Sequence, residues 1–290
     1  MTTSFDCSTL LRNRGGNYAH EYDSYLALFK QLAYAETPWE LHNVPASWTL
    51  FCLWLGHVVE SSTNRFDSDS IDWKSAWDKA EDKRHLLEVS STSRPELVHA
   101  LYCADTEWPC PLLDVSQYAK KEFVVSSNGS FYRPEVLEFR NSLTNYVPPD
   151  DASGRKAVLV PCSASKPYPS PLHEKVKTTL DGLGWDIIVC TGVLGLIPSG
   201  LWDIAPAYDS GMPNLERCSE TVAWYFSKWD YKRLLVFSDF YAYAVKNGLD
   251  KATGSSPKTV FMFGHSWRDT YENLHCEEHL HRLLIEAKRV

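Results

Sequence analysis

Long apolar runs are missing from this 290-residue chain: the longest, Trp48 to Val59, is about a dozen residues and contains His57. A helix needs roughly 20 apolar residues to cross a bilayer, so no membrane association is expected. The start, Met1-Thr2-Thr3-Ser4-Phe5-Asp6, has neither the basic region nor the apolar core of a secretion signal. The eight cysteines, at 7, 52, 103, 110, 162, 190, 218 and 276, form no close pairs. These features point to reduced thiols in a cytoplasm and not to a disulfide framework.

Basic residues are outnumbered too: 29 Lys and Arg stand against 37 Asp and Glu, a net charge of −8. A generic electrostatic nucleic-acid binder is normally basic, so binding of that kind would need a local groove. Lys228-Trp229-Asp230-Tyr231-Lys232-Arg233 and Arg155-Lys156 are the stretches available for one, against the plainer reading of a solvated charged face. No internal repeat or low-complexity tract occurs. The 44% apolar content is that of a globular protein. Eleven tryptophans and 13% aromatics fit either broad packed surfaces or stacking sites.

Residues 1 to about 125 carry helical periodicity. Tyr22–Ala35 and Trp48–Val59 have apolar positions three and four apart, and Ile71–Glu88 reads as a charged amphipathic helix. Ser93-Arg94-Pro95-Glu96 places proline in the first turn of another. The turn-rich passage from Pro148 to Gly154 separates this half from a different pattern. There, strands at Ala157–Val160, Asp186–Cys190, Arg233–Phe237 and Thr259–Phe263 alternate with helices at His173–Leu183, Leu215–Lys228, Tyr241–Gly248 and Cys276–Lys288. Short runs that are apolar on both faces suit parallel strands covered by helices. The expected fold is therefore α/β: a small four-stranded, mostly parallel sheet with flanking helices in a Rossmann-like layer, preceded by a mainly helical N-terminal lobe. The expected domains are 1–129 and 130–290.

Polar residues close the strands: Cys162 and Ser163, Thr191, Ser238 with Asp239, and Gly264-His265-Ser266. In open α/β sheets ligands bind outside such strand ends. The segment after the first strand, Pro161-Cys162-Ser163-Ala164-Ser165-Lys166-Pro167-Tyr168-Pro169-Ser170-Pro171-Leu172-His173, brings a thiol, an amine, a phenol, hydroxyls and an imidazole into one loop stiffened by proline. Cys162 is the candidate nucleophile, because a thiol beside cations reacts as thiolate; a buried structural cysteine is the competing reading. Lys166 would orient an electron-rich group or exchange protons. Tyr168 and His173 are acid/base candidates, with packing as the alternative for each.

Residue by residue, this loop resembles the core motif of the archaeosine synthase family. Pro161, Cys162, Lys166, Pro167 and Tyr168 fall in register with it; Ser170 and His173 keep their mutual spacing but arrive one residue early. Phe131-Tyr132-Arg133-Pro134-Glu135-Val136 and Tyr146-Val147-Pro148-Pro149 look like the family's lead-in. Leu194-Gly195-Leu196-Ile197-Pro198 and Tyr208-Asp209 look like its second signature, although Ser199-Gly200-Leu201-Trp202 follows where family members usually have an acidic residue. The resemblance covers roughly residues 130 to 265.

That resemblance implies a reaction on 7-cyano-7-deazaguanine, in which an amine adds to the nitrile on the way to the amidine of archaeosine. Lysine is the donor in the archaeal tRNA pathway, with glutamine and ammonia as further options here. Cys162, Lys166, Tyr168 and His173 would be the catalytic set, and Ser163, Ser170, Tyr208, Asp209 and Asp239 the substrate-binding set. No cofactor or metal is expected. The chain looks like the compact, core-only form associated with DNA modification, notably in phages, which would place it in a host cytoplasm. Expected partners are 7-deazaguanine-containing DNA, or the free base or nucleotide, ahead of tRNA, together with a small amine and a partner modification enzyme. Two other functions compete: a module that binds the deazaguanine or its nucleic acid for another enzyme, and a base-excising hydrolase with a flipped-base pocket. His275-Cys276-Glu277-Glu278-His279 matches an inverted zinc-protease pattern, but no third ligand is in evidence downstream.

Overall fold

Parallel strands buried on both faces need an uninterrupted apolar centre, and Ala157, Val158, Leu159 and Val160 supply it, each fully buried. We describe the chain from a computed structural model, which covers residues 3–8, 18–63, 71–92, 94–114, 122–125, 127–149, 154–163, 166, 168–209, 214–238, 240–254, 257–262 and 276–289. The chain divides into two compact units, Met1–Gln117 with Phe123–Pro134, and Tyr118–Glu122 with Glu135–Val290.

In the second unit β6 (Arg155–Pro161) is the middle strand of a five-stranded sheet of order β10-β9-β6-β7-β8. β7 (Trp185–Thr191), β9 (Tyr231–Val236) and β10 (Lys258–Phe261) run parallel to it, within a residue or two of the expected strands. The fifth strand, β8 (Gly195–Pro198), escaped the sequence reading. It is four residues long and folds back antiparallel on β7, with Gly195 opposite Thr191. Gly195 has φ +85, and a Cβ there would sit 2.3 Å from Thr221 Oγ1, so this turn requires glycine. The accompanying helices are α6 (Pro134–Asn145), α7 (Pro171–Thr179), α8 (Leu215–Lys228), α9 (Ala242–Lys251) and α10 (Glu277–Lys288).

Chain order matters for the site. From β6 the sheet grows first towards β7 and β8, then α8 carries the chain back so that β9 pairs with the other side of β6. Such a reversal leaves a crevice at the C-terminal ends of the two strands, here β6 and β9.

The first unit is less uniformly helical than its periodicity suggests. Helix α1 (Tyr18–Ala33) buries Leu28, Phe29, Leu32 and Ala33 along one stripe, and Phe29 meets Trp48 and Phe51 edge-on at 5.1 and 4.9 Å. Trp48 and Trp54 are buried core residues. The expected helix at Trp48–Val59 is only α2 (Thr49–Trp54). Gly56 at φ +90 ends it, the His57 amide bonding back to the Cys52 carbonyl, and Val58–Val59 then becomes strand β4. Ile71–Glu88 is likewise two helices, α3 (Trp73–Lys79) and α4 (Lys83–Ser91), because Asp72 and Asp82 each cap a new start. With α5 (Pro95–Thr106) these helices stand beside a parallel sheet of β1 (Thr3–Asp6), β2 (Trp39–His42) and β4, and a two-stranded pair, β3 (Val44–Pro45) and β5 (Ser62–Thr63). Ser93, named at the start of α5, lies outside the described residues. No helix among the described residues is long and apolar enough to cross a membrane.

Candidate active site

Cys162 is the first residue beyond β6, and its amide donates to the Cys190 carbonyl of β7 at 2.8 Å. The thiol is thus held at the mouth of the crevice. Its Sγ lies 3.2 Å from Tyr241 Oη, in the residue just before α9, and the Gly192 amide, just beyond β7, donates to that same phenol oxygen at 3.1 Å. Three strand tips, those of β6, β7 and β9, therefore meet around one sulfur. Thr191 and Ser238 take part at their own tips: Thr191 pairs with Tyr208, and Ser238 Oγ accepts from the Tyr241 amide at 3.2 Å.

Lys166 reaches this place from the loop. Its Nζ lies 4.1 Å from the centre of the Tyr208 ring, shielded from solvent, with no hydrogen-bond acceptor among the described residues. Burial pulls its pKa below the usual lysine value, while the charges of Cys162, Glu122 and Asp209 act in the other direction. Burial pushes the Cys162 thiol up; the Tyr241 hydrogen bond and the Lys166 cation offset this only in part. Burial thus works against the charged form of both groups, while each of the two favours the charge of the other.

Tyr168 and Tyr208, 40 residues apart in sequence, join through their hydroxyls at 3.2 Å. Tyr208 also bonds Thr191, whose Oγ1 accepts from the Val193 amide at 3.2 Å. Burial raises both phenols far above neutrality, so they are permanent donors. Tyr208, with Tyr168 bonded to its hydroxyl, lies under Lys166.

His173 plays a different part from the acid/base one. Its Nδ1 accepts from the Ser170 amide at 3.1 Å and lies 2.9 Å from Ser170 Oγ, while Nε2 lies 3.0 Å from the Pro161 carbonyl oxygen. An amide can only donate and a carbonyl can only accept, so these partners assign the proton to Nε2. The imidazole is fully buried and spans from the start of α7 back to the end of β6. It fastens the loop that carries Cys162 and Lys166. Ser170, 1% exposed, belongs to that clasp. Ser163 and Asp209 are half-buried, and Asp209 reaches Lys166 electrostatically. Asp239, Gly264-His265-Ser266 and His275 lie outside the described residues. Among the described residues no group of three His, Cys, Asp or Glu is placed to hold a metal ion.

The basic stretches do not gather here. Arg155 and Lys156 open β6, and Lys228 and Lys232 flank the start of β9, at the opposite edge of the sheet. Lys228 Nζ donates to the Thr144 carbonyl, Lys156 Nζ to Leu183 O, and Lys232 pairs with Asp230. Sequence reasoning passed over Tyr241 and Gly192. Its periodicity places Tyr241 at the start of a helix; its position five residues after β9 closes is the available signal.

A domain of unknown function, DUF5591, matches residues 136–255. Archaeosine synthase subunit alpha of Thermoplasma acidophilum is 38% identical over 197 residues, 63% of this chain and 34% of the relative. This chain is related to the archaeosine synthase family. It spans about a third of the length of that curated relative. No solved structure matches it. The span matched by DUF5591 runs from within α6 to just beyond α9 and includes Cys162, Lys166 and Tyr241.

Proposed function

We propose that this protein is an amidine-forming transferase acting on the nitrile of 7-cyano-7-deazaguanine, with the base carried in DNA. The kinship to archaeosine synthase subunit alpha supports archaeosine-type modification of a nucleic acid as its setting. The observation that carries the chemistry is the buried Lys166 amine, without a hydrogen-bond acceptor among the described residues, beside the Cys162 thiol at the strand switch.

In the first step Lys166 takes the proton of Cys162, and the thiolate attacks the nitrile carbon. A C–S bond forms as one C–N π bond opens, and the Lys166 ammonium returns the proton to the nitrogen, giving a thioimidate. An amine (lysine, glutamine or ammonia) then adds to the same carbon. The C–S bond breaks, the sulfur leaves as thiolate and regains a proton from the incoming amine through Lys166, and the amidine departs. No oxidant and no water enter, and the split into two additions is the usual gain of covalent catalysis. Tyr208 and Tyr168 hold Lys166, His173 and Ser170 hold the loop, and Ser163, Asp209 and Asp239 are placed by their sequence to meet the base or the amine. A second enzyme would complete any conversion beyond the adduct.

The test is mass spectrometry of the protein incubated with 7-cyano-7-deazaguanine, free and within DNA, with each amine in turn. A mass gain equal to the whole donor on the base, or an adduct on Cys162, is the expected result. Product formation at the wild-type rate by Cys162→Ala would overturn the covalent route. Retention of the base with no product from any donor would replace the enzyme reading with that of a binding module.

A further inference from the structure

Buried phenols usually find one partner; Tyr241 has two, and their chemistry fixes the direction of its proton. The Gly192 amide at 3.1 Å can only donate, so it occupies a lone pair of Oη. The remaining neighbour, among the described residues, is Cys162 Sγ at 3.2 Å. If the thiol donated to Oη as well, the phenol proton would be left in a buried place without an acceptor, a costly arrangement. The ring is 2% exposed and held edge-on by Phe240 at 4.9 Å, and the Tyr241 amide is tied to Ser238 Oγ, so the hydroxyl cannot swing away to water.

We propose that Tyr241 is a catalytic residue of this site: anchored by the Gly192 amide, its hydroxyl donates to Cys162 Sγ and stabilises the sulfur as thiolate, both when it attacks and when it is expelled. The assignment rests on the transferase reading for the identity of the reaction, but not for the state of the sulfur. Tyr241 itself loses no proton, since burial raises its pKa far above neutrality. It supplies polarity in a fixed direction, from the β7 backbone through a phenol to a sulfur on the β6 tip. Among the influences that oppose burial at the thiol, this hydrogen bond is the largest, ahead of Lys166. Protons are then handled by Lys166 and negative charge by Tyr241, which separates two tasks that one group cannot do at once. A donor preorganised on a developing anion is also the kind of contact that costs nothing to arrange at the moment of reaction.

The experiment is the pH profile of Cys162 alkylation by iodoacetamide in the full chain, read on the Cys162 peptide by mass spectrometry. Tyr241→Phe keeps the ring and removes the donor, so the midpoint should rise by about one unit and alkylation at pH 8 should slow about tenfold. Incorporation of 3,5-difluorotyrosine at 241 makes a stronger donor of the same shape, and should move the midpoint down. Opposite shifts of the two variants support the role. A midpoint unmoved in both variants overturns it, because a ring that only packs has no reason to follow donor strength. If Tyr241→Phe does not fold, the fluorinated protein alone decides by the same criterion. The probe needs no nitrile substrate, so a failure of the transferase reading would appear in the product assay and not here.

Discussion

Tyr231 donates its hydroxyl to Asp186 at 2.6 Å, at the edge of the sheet opposite the thiol. Tyr225 in turn donates to Tyr231 at 3.1 Å, and Ser199 also bonds the carboxylate. Burial nevertheless outweighs these bonds and raises Asp186 from 3.8 to about 6. A carboxyl raised on folding stabilises the native state at low pH, and that contribution is lost as pH climbs through about 6. Asp186→Asn lacks the titration. Compared by urea unfolding, the wild type should lose up to about 3 kcal/mol relative to Asp186→Asn between pH 4 and pH 7. A difference between the two that does not change with pH would show the carboxyl to be unshifted.

Lys166→Met should make the protein more stable and inactive together. The amine is sheltered without an acceptor among the described residues, and methionine fills about the same volume with no group to solvate. We expect a gain of about 1 kcal/mol in thermal or urea unfolding. The same change removes a cation that pulls the Cys162 thiol down, so its alkylation midpoint should rise while product formation ceases. A loss of stability would mean that the contact with the Tyr208 ring and the nearby charges outweigh the cost of burying the amine.

The buried strands were legible because they are short, apolar on both faces and separated by helices. Leu215–Lys228 is the clearest case among the helices, its periodicity unbroken from an asparagine cap to a lysine end. Cys162 and Lys166 were legible from the loop's composition, and the structure brings Tyr208 of the second signature under Lys166. What escaped was long-range. Strand β8 is too short to show a period, and Tyr241 owes its place to the crossover that sets β9 beside β6, on the side away from β7, which no local pattern reports. The acidic residue missing after Pro198 is explained only by topology. Since β8 runs antiparallel, Ser199 falls at the Asp186 edge, away from the thiol. A carboxylate at that position would face another carboxylate and not Cys162.

Charge is buried in the first unit in a form that depends on every member. Arg84, fully buried, donates from Nε to Glu88 at 2.8 Å and from both terminal nitrogens to Asp105, and Ser130 donates to the other Glu88 oxygen at 2.7 Å. Arg84→Met would remove the guanidinium that pairs both sheltered carboxylates, leaving Glu88 with Ser130 and with Arg133 at 3.8 Å, at a cost of about 3–5 kcal/mol. Adding Asp105→Leu removes one of them and should recover part of the loss. Urea midpoints of the two variants check this; a double variant no better than the single one would mean that Asp105 contributes little to the cost.

His173 separates positioning from proton transfer most sharply. With both ring nitrogens turned to backbone groups of Ser170 and Pro161, the imidazole has no free edge for the sulfur. His173→Ala leaves a buried amide and a buried carbonyl unpaired, which should lower stability by about 2–5 kcal/mol. Glutamine can still accept from the Ser170 amide in the manner of a capping box, so His173→Gln should keep part of that stability. The deciding measurement is again alkylation of Cys162 across pH, now in His173→Gln. A clasp that only sets the loop leaves the midpoint where it was and changes the amount of folded protein. A midpoint displaced by about one unit or more would place the imidazole in electrical contact with the sulfur, and return His173 to the acid/base role that its distance in sequence from Cys162 first suggested.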